Sequence, residues 1–275
     1  VNHNGSLADA KSLVDAAVDS GASAVKFQSF DVASNYSENH TNTMKLRWAK
    51  NLQLSWKDCD TLIDYCNKRG IIFLSTPFDV VSAESLSRTS MPQFKIASSE
   101  LCNYPLLKYI ASTGLPVFLS VGMAREPEIT AALDYLNRYS SLAEPEVTLL
   151  YCVSLYPAPY ECHDMRMIQH LSSRHDVPSG FSDHSLGIAL PIAAAALGAK
   201  VIEKHIKLSD NHVCPDDKVS LSPKQFSQMV CSIRNVEKAF KTGSFSLSEN
   251  EIESRNVLRK GIYSRTKLTK GTIMN

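Results

Sequence analysis

The chain has 275 residues, 44% hydrophobic and 21% charged, with 29 basic and 28 acidic side chains for a formal net charge of +1. That length suits one large α/β barrel or two modest domains, and the composition excludes wholesale disorder. The charge balance leaves no footprint for nucleic acid or a membrane surface, and no apolar run is long enough to span a bilayer.

The opening "VNHNG" reads either as a turn or as a site loop. A helix follows at Ser6–Ser20, with Ser6 as N-cap and Asp9 three residues on, and it stops at Gly21. "AVKFQ" (24–28) is then a strand. A polar loop with some helix near Met44–Asn51 leads to "SWKD" (55–58), which opens a helix ended by Gly70. Next comes the strand "IIFLST" (71–76). Further strands are expected at 94–98, 117–121, 147–153, 179–183 and 201–206. Helices are expected at 80–90, 103–112, 126–140, 163–174, 188–198 and 222–240.

Near-continuous apolar strands alternating with helices imply parallel strands buried on both faces. Seven such strands follow the first helix, and that helix calls for a strand ahead of Val1. Eight strands close a (β/α)8 TIM barrel. The alternative is an open doubly wound sheet, but no G-x-G-x-x-G follows any strand. The tail after residue 250 is basic, β-prone and turn-rich. It is expected to be a linker and the start of a small second domain, giving domains at 1–245 and 246–275. Seven cysteines without C-x-x-C spacing point to reduced thiols and a cytoplasmic protein.

Polar residues recur at the ends of these strands, where barrel active sites are built. They are Lys26 and Gln28; Ser75 and Thr76; Lys95, Ser98 and Glu100; Ser120; Ser154 and Tyr156; Ser182, Asp183 and His184; and His205. Lysines on barrel strands are costly to bury without an anion. Lys26 and Lys95, among hydroxyls, suit a phosphate or carboxylate; the alternative is a salt bridge to Glu100 or Glu203. His184 and His205 lie 21 residues apart, one strand–helix–strand step. They either share a divalent metal used as a Lewis acid or are two core histidines. Asp183 and Glu203 read as supporting partners. Asp216, in "HVCPDD", either holds a polar substrate or is a turn residue. Tyr156, in "YPAPY", faces core or substrate.

The blocks "NHNGSL", "GASAVKFQ", "FLSTPFD", "KIASSE", "LSVGM", "YCVSLYPAPYE", "GFSDHSLGI", "ALGAKVIEKHI" and "CPDDKVSLSP" run in order along the chain. The series resembles the N-acetylneuraminate (sialic acid) synthase family, including related nonulosonic acid synthases. The resemblance implies condensation of phosphoenolpyruvate with the open-chain aldehyde of an N-acylated hexosamine, typically N-acetylmannosamine, with phosphate leaving by C–O cleavage. It implies a divalent metal, manganese or magnesium, held by His184 and His205. Lys26, Thr76, Lys95, Ser98 and Ser182 match the phosphoenolpyruvate side; Gln28, Tyr156 and Asp216 match the sugar side. Ser120 and Ser154 belong to the same set of substrate-binding hydroxyls, and Glu100 would stand near the reacting centre.

The residues from 257 on resemble the start of an antifreeze-like domain, which in that family reaches across a domain-swapped homodimer and lends an Arg to the partner's sugar site. Three positions depart from the family blocks: Ser99 and Cys214 stand where glycine is usual, and Val121 where threonine is usual. Two other readings remain open on the same barrel: a metal-dependent keto-acid lyase, and a non-catalytic sugar-binding or regulatory protein.

Overall fold

The structure is a computed structural model that describes residues 1–35, 42–240 and 246–273. Residues 36–41 of the polar loop after the first strand therefore lie outside the described residues. The chain divides into two compact units, Val1–Lys238 and Ala239–Asn275.

The first unit is built on seven parallel strands in the order β1 to β7. They are β1 (Ala24–Ser29), β2 (Ile72–Pro77), β3 (Phe94–Ile96), β4 (Val117–Ser120), β5 (Val147–Cys152), β6 (Ser179–Asp183) and β7 (Ile202–Lys204). The helices are α1 (Leu7–Asp19), α2 (Val32–Asn35), α3 (Thr43–Leu52), α4 (Trp56–Arg69), α5 (Val80–Ser87), α6 (Tyr104–Ser112), α7 (Glu126–Tyr139), α8 (Met167–His175), α9 (Ala189–Ala196) and α10 (Pro223–Ala239). Each strand pairs with the next in sequence, the pattern of consecutive right-handed β-α-β steps.

Local chemistry explains the helix ends. Ser6 caps α1 by accepting from Asp9 N–H. Ser55 and Asp58 form a full capping box on α4, and Gly70 closes it in the left-handed region at φ 71°. Strand alternation then sorts the faces. In β1, Val25 and Phe27 turn outward and are buried against α1 and α4, while Lys26 and Gln28 turn inward. Val14 and Ala17 of α1, Leu62 and Cys66 of α4, Leu106 and Ile110 of α6, and Ile129 and Leu136 of α7 share one apolar core with outward residues such as Phe73, Ile96 and Leu119. Each fully buried leucine or isoleucine there stabilises the fold by roughly 1.5–3 kcal/mol.

The sheet is curled. The edges β1 and β7 meet the same short segment at the start of the chain. Asn2 Nδ2 donates to Ile206 O and Ser220 Oγ, both 2.8 Å away, beyond β7. The His3 ring lies 6.0 Å from Phe27 of β1. The expectation of eight strands counts one ahead of Val1; the described residues hold seven.

Several expected boundaries shift: the strand placed at 201–206 is Ile202–Lys204, so His205 follows it, and the helix placed at 163–174 is Met167–His175. The strand placed at 94–98 ends at Ile96, because Ser98–Glu100 turns into a 3-10 helix. The tail, read as β-prone, contains the helix α11 (Glu249–Leu258). Ser248 and Glu251 form a capping box, and Glu249 and Glu251 complement the N-terminal dipole. Those local signals outweigh the β-prone residues after the helix.

Candidate active site

The strand register determines which side chains share the inner face. Lys95 of β3 is level with Phe118, Cys152 with Ser182, and Ser182 with Glu203. Lys26 of β1 lies across the gap from β7. These residues build an ion cluster on the inner face of the sheet, from positions within β1, β3, β6 and β7. Lys26 Nζ stands 3.3 Å from Glu203 Oε2 and Lys95 Nζ 3.9 Å from Glu203 Oε1. Ser182 Oγ donates to Glu203 Oε1 at 2.7 Å. Lys95 Nζ also donates to Ser120 Oγ at 2.7 Å and to Ile96 O at 3.0 Å.

Burial pushes the Lys95 ammonium down to about 8, and Glu203 works against that shift. Burial also opposes the charge on Glu203. The two lysines and the Ser182 hydroxyl outweigh it and hold this carboxyl well below the usual range. The cluster is thus two cations around one anion, with a net positive charge.

The imidazoles stand beside it. The ring centroids of His184 and His205 are 5.3 Å apart, and Tyr156 lies against both, at 4.0 Å and 5.9 Å. His184 Nδ1 is 2.9 Å from Val153 O, so it donates there and its Nε2 carries the free lone pair. Burial, then His205, lowers the His184 pKa to about 4, which keeps it neutral near pH 7. His205 Nδ1 is 3.2 Å from Asp216 Oδ2, leaving its Nε2 free as well. Burial opposes the Asp216 charge, but His205 overcomes it and lowers the carboxyl pKa.

Two neighbouring imidazoles, each oriented through Nδ1 by an oxygen, fit a divalent cation whose other positions go to water or substrate oxygens. Among the described residues, no group of three or more His, Cys, Asp or Glu side chains is arranged to hold a metal ion.

Gly122 marks a close approach on the same rim. A Cβ there would meet Ser154 Oγ at 2.4 Å and Ser98 Oγ at 2.9 Å, and Gly122 N–H donates to Ser98 Oγ at 2.9 Å. The missing side chain lets Ser98 and Ser154 converge. Gln28 opens with Lys26, Glu203, His205 and Asp216 into one cavity of about 390 Å³.

Two predicted residues make no bond to these groups, although Thr76 shares the inner face with Gln28. Thr76 is level with Gln28 on β2, and its buried Oγ1 has no hydrogen-bond partner. Glu100 accepts from Ser99 Oγ at 2.9 Å and Asn103 Nδ2 at 2.8 Å; the lysines and imidazoles are not among these partners. Among the described residues, the positive-φ residues other than glycine are Asn4, Met123 and Asp176. Cys214 and Ser99 are not among them, so a Cβ at either position meets no left-handed strain.

The structure also adds residues. Glu203, read from sequence as a supporting partner, is the hub of the ion cluster. It lies two residues before His205, so period-2 alternation already places both on one face. Asn2 Oδ1 accepts from Asp216 N–H at 3.1 Å and so helps position the Asp216 loop.

Known proteins are similar to this chain in sequence and in fold. The chain is 37% identical over 286 residues to N,N'-diacetyllegionaminic acid synthase of Campylobacter jejuni, covering 100% of this chain and 85% of that one. It is 30% identical over 287 residues to human N-acetylneuraminate-9-phosphate synthase, covering 99% and 78%. The crystal structure of the N-acetylneuraminic acid (sialic acid) synthetase of Leptospira borgpetersenii, in complex with citrate, superposes with a TM-score of 0.83 at 33% identity, over 94% of this chain and 90% of that one. Residues 13–245 match the NeuB family, and the chain belongs to that family.

Proposed function

We propose that the protein condenses phosphoenolpyruvate with the open-chain aldehyde of an N-acylated hexosamine, N-acetylmannosamine being the first candidate. The enol carbon bonds to the aldehyde carbon, water adds at the phosphate-bearing carbon, and phosphate leaves by C–O cleavage. The product is a nine-carbon 2-keto acid.

The observation that carries this reading is the Lys26–Glu203–Lys95 cluster beside the His184–His205 pair. Two ammoniums sharing one carboxylate keep N–H donors for the phosphate and carboxylate of the substrate. Ser98, Ser120, Ser154, Ser182 and Thr76 add hydroxyls on that side, and the unpartnered Thr76 Oγ1 is a hydroxyl with hydrogen-bonding capacity to spare. Gln28, Tyr156 and Asp216 are assigned to the sugar, and Glu100 to the rim near the reacting centre. When bound at His184 and His205, Mn²⁺ or Mg²⁺ supplies Lewis acidity toward a carbonyl oxygen. The two rings and Tyr156 hold the aldehyde in line with the enol carbon, so the gain is one of orientation as well as charge.

The test is phosphate release from phosphoenolpyruvate with N-acetylmannosamine or with a diacetamido deoxyhexose, with Mn²⁺ and with chelator. Release that requires sugar and metal supports the synthase. Metal-dependent cleavage of the keto acid without net synthesis would replace it with the lyase. Absence of both reactions, with all these sugars, would overturn catalysis.

A further inference from the structure

We propose that the buried Asp183–Lys204 ion pair is a positioning clamp that sets the separation and angle of His184 and His205, and so controls capture of a divalent cation. This rests on reading the two imidazoles as a metal site.

Asp183 and Lys204 are register partners at the ends of β6 and β7, on the helix-facing side of the sheet. Each directly precedes one of the two histidines. Both side chains are 0% exposed. Lys204 Nζ donates to Asp183 Oδ2 at 2.6 Å and also to Ser185 O. Asp183 Oδ1 accepts from Ser185 N–H at 2.8 Å. One ammonium therefore grips the residues on both sides of His184, while its own main chain runs straight into His205. A fourth bond, from Ala158 N–H to His184 O at 2.9 Å, fixes the peptide of His184.

A buried ion pair is a poor source of stability, because desolvation offsets the attraction. A hydrophobic pair of equal volume would fill the space as well. What the ion pair adds is direction: two charge-assisted bonds from Lys204 fix β7 against the end of β6 and the turn after it, and a third, from Ser185 N–H to Asp183, closes that turn around His184. Such outer contacts typically change metal affinity or activity by about 10–100-fold when removed.

The experiment uses the full chain and Mn²⁺ alone, with free ion followed by electron paramagnetic resonance. The single variant Lys204→Met leaves Asp183 buried without a partner and can fail to fold, so the deciding variant is Asp183→Leu/Lys204→Met, which removes both charges together. The double variant is expected to fold with a lowered melting temperature, because Ser185 N–H and O lose their partners, and to bind phosphoenolpyruvate with unchanged Kd. Its Kd for Mn²⁺ should rise about 10–100-fold. In turnover, kcat should fall while KM for phosphoenolpyruvate holds. A wild-type Kd for Mn²⁺ in the double variant, with His184→Ala weakening Mn²⁺ binding as expected, would overturn the clamp alone. Mn²⁺ binding that His184→Ala and His205→Ala leave unchanged would overturn the metal reading and the clamp with it.

Discussion

Strands β6 and β7 carry two ion clusters, one on each face, displaced by a single residue. On the inner face Ser182 and Glu203 meet Lys26 and Lys95; on the outer face Asp183 meets Lys204. The outer pair is closed: one cation, one anion and a backbone carbonyl, all shielded from water. The inner group is open, with cations in excess, longer separations of 3.3 Å and 3.9 Å, and a cavity beside it. A closed pair is sealed from solvent on both side chains, so no ligand reaches it and it can only fix geometry. An open cluster holds charge in reserve and can bind. The same residue types thus serve opposite ends, and pleating alone decides which.

The comparison breaks most severely at the imidazoles between the two clusters. His184→Ala or His205→Ala should lower turnover by about 10³-fold or more, since several kcal/mol of polarisation and orientation are lost. The melting temperature should change less than the rate: the His205 ring is partly exposed, and the buried His184 ring gives up its bond to Val153 O and its contact with Tyr156. Rates within tenfold of wild type in either variant would remove that histidine from the chemistry and sink the shared metal role.

Breaking the closed pair on one side only should unfold rather than inactivate. Asp183→Leu leaves a buried ammonium unpaired at a cost of about 3–5 kcal/mol. Chemical denaturation would show it as a lower midpoint at unchanged slope. A variant as stable as the wild type would mean that Lys204 finds water or another anion, and that the pair is not closed.

Opening the inner cluster further is milder. Lys26 is partly exposed, with a side-chain accessibility of 20%. Lys26→Met removes one charge-assisted contact, worth roughly 1.5–3 kcal/mol. KM for phosphoenolpyruvate should rise about tenfold to a hundredfold, with the melting temperature modestly lowered, because Glu203 keeps Lys95 and Ser182 but loses its nearer cation. If KM for the sugar moved instead, the lysine would belong to the other side of the site.

Much of this arrangement is legible in the sequence, for physical reasons. Lys26 and Lys95 stand within strands that apolar runs announce, and His184 and His205 directly follow two others. The hub Glu203 is visible only through strand alternation, because a lone Glu on a strand is also a routine salt-bridge partner. Glu100 escapes placement because β3 stops at Ile96 and a 3-10 turn redirects the chain beyond it, a matter of local hydrogen bonding rather than pattern. Helix α11 is announced by the spacing of Ser248 and Glu251, which the basic residues after it mask. Asn2, bonded to Ile206 and Ser220 across more than 200 positions, cannot be found by any local signal.

The smallest expected effect concerns proton linkage. His3 is buried beside β1; its Nδ1 accepts from Gly5 N–H at 3.0 Å and its Nε2 has no partner. Burial lowers its pKa from 6.5 to about 3, as it lowers that of His184 to about 4. Both rings are held neutral in the fold but take up protons near 6.5 when the chain unfolds. Between these values the unfolded state binds more protons, so stability falls as pH falls. Each group adds a slope of at most about 1.4 kcal/mol per pH unit. Their contribution is complete above pH 6.5 and lost progressively toward pH 4 and below. Glu203 and Asp216, whose carboxyls are depressed, add their own acid loss only at lower pH. Urea unfolding at pH 7.5, 6.5, 5.5 and 4.5 should therefore show a steepening decline that His3→Gln makes shallower. An equally steep profile in His3→Gln would mean that His3 reaches water, and that the segment bridging β1 and β7 is looser than its bonds to Ile206 and Ser220 require.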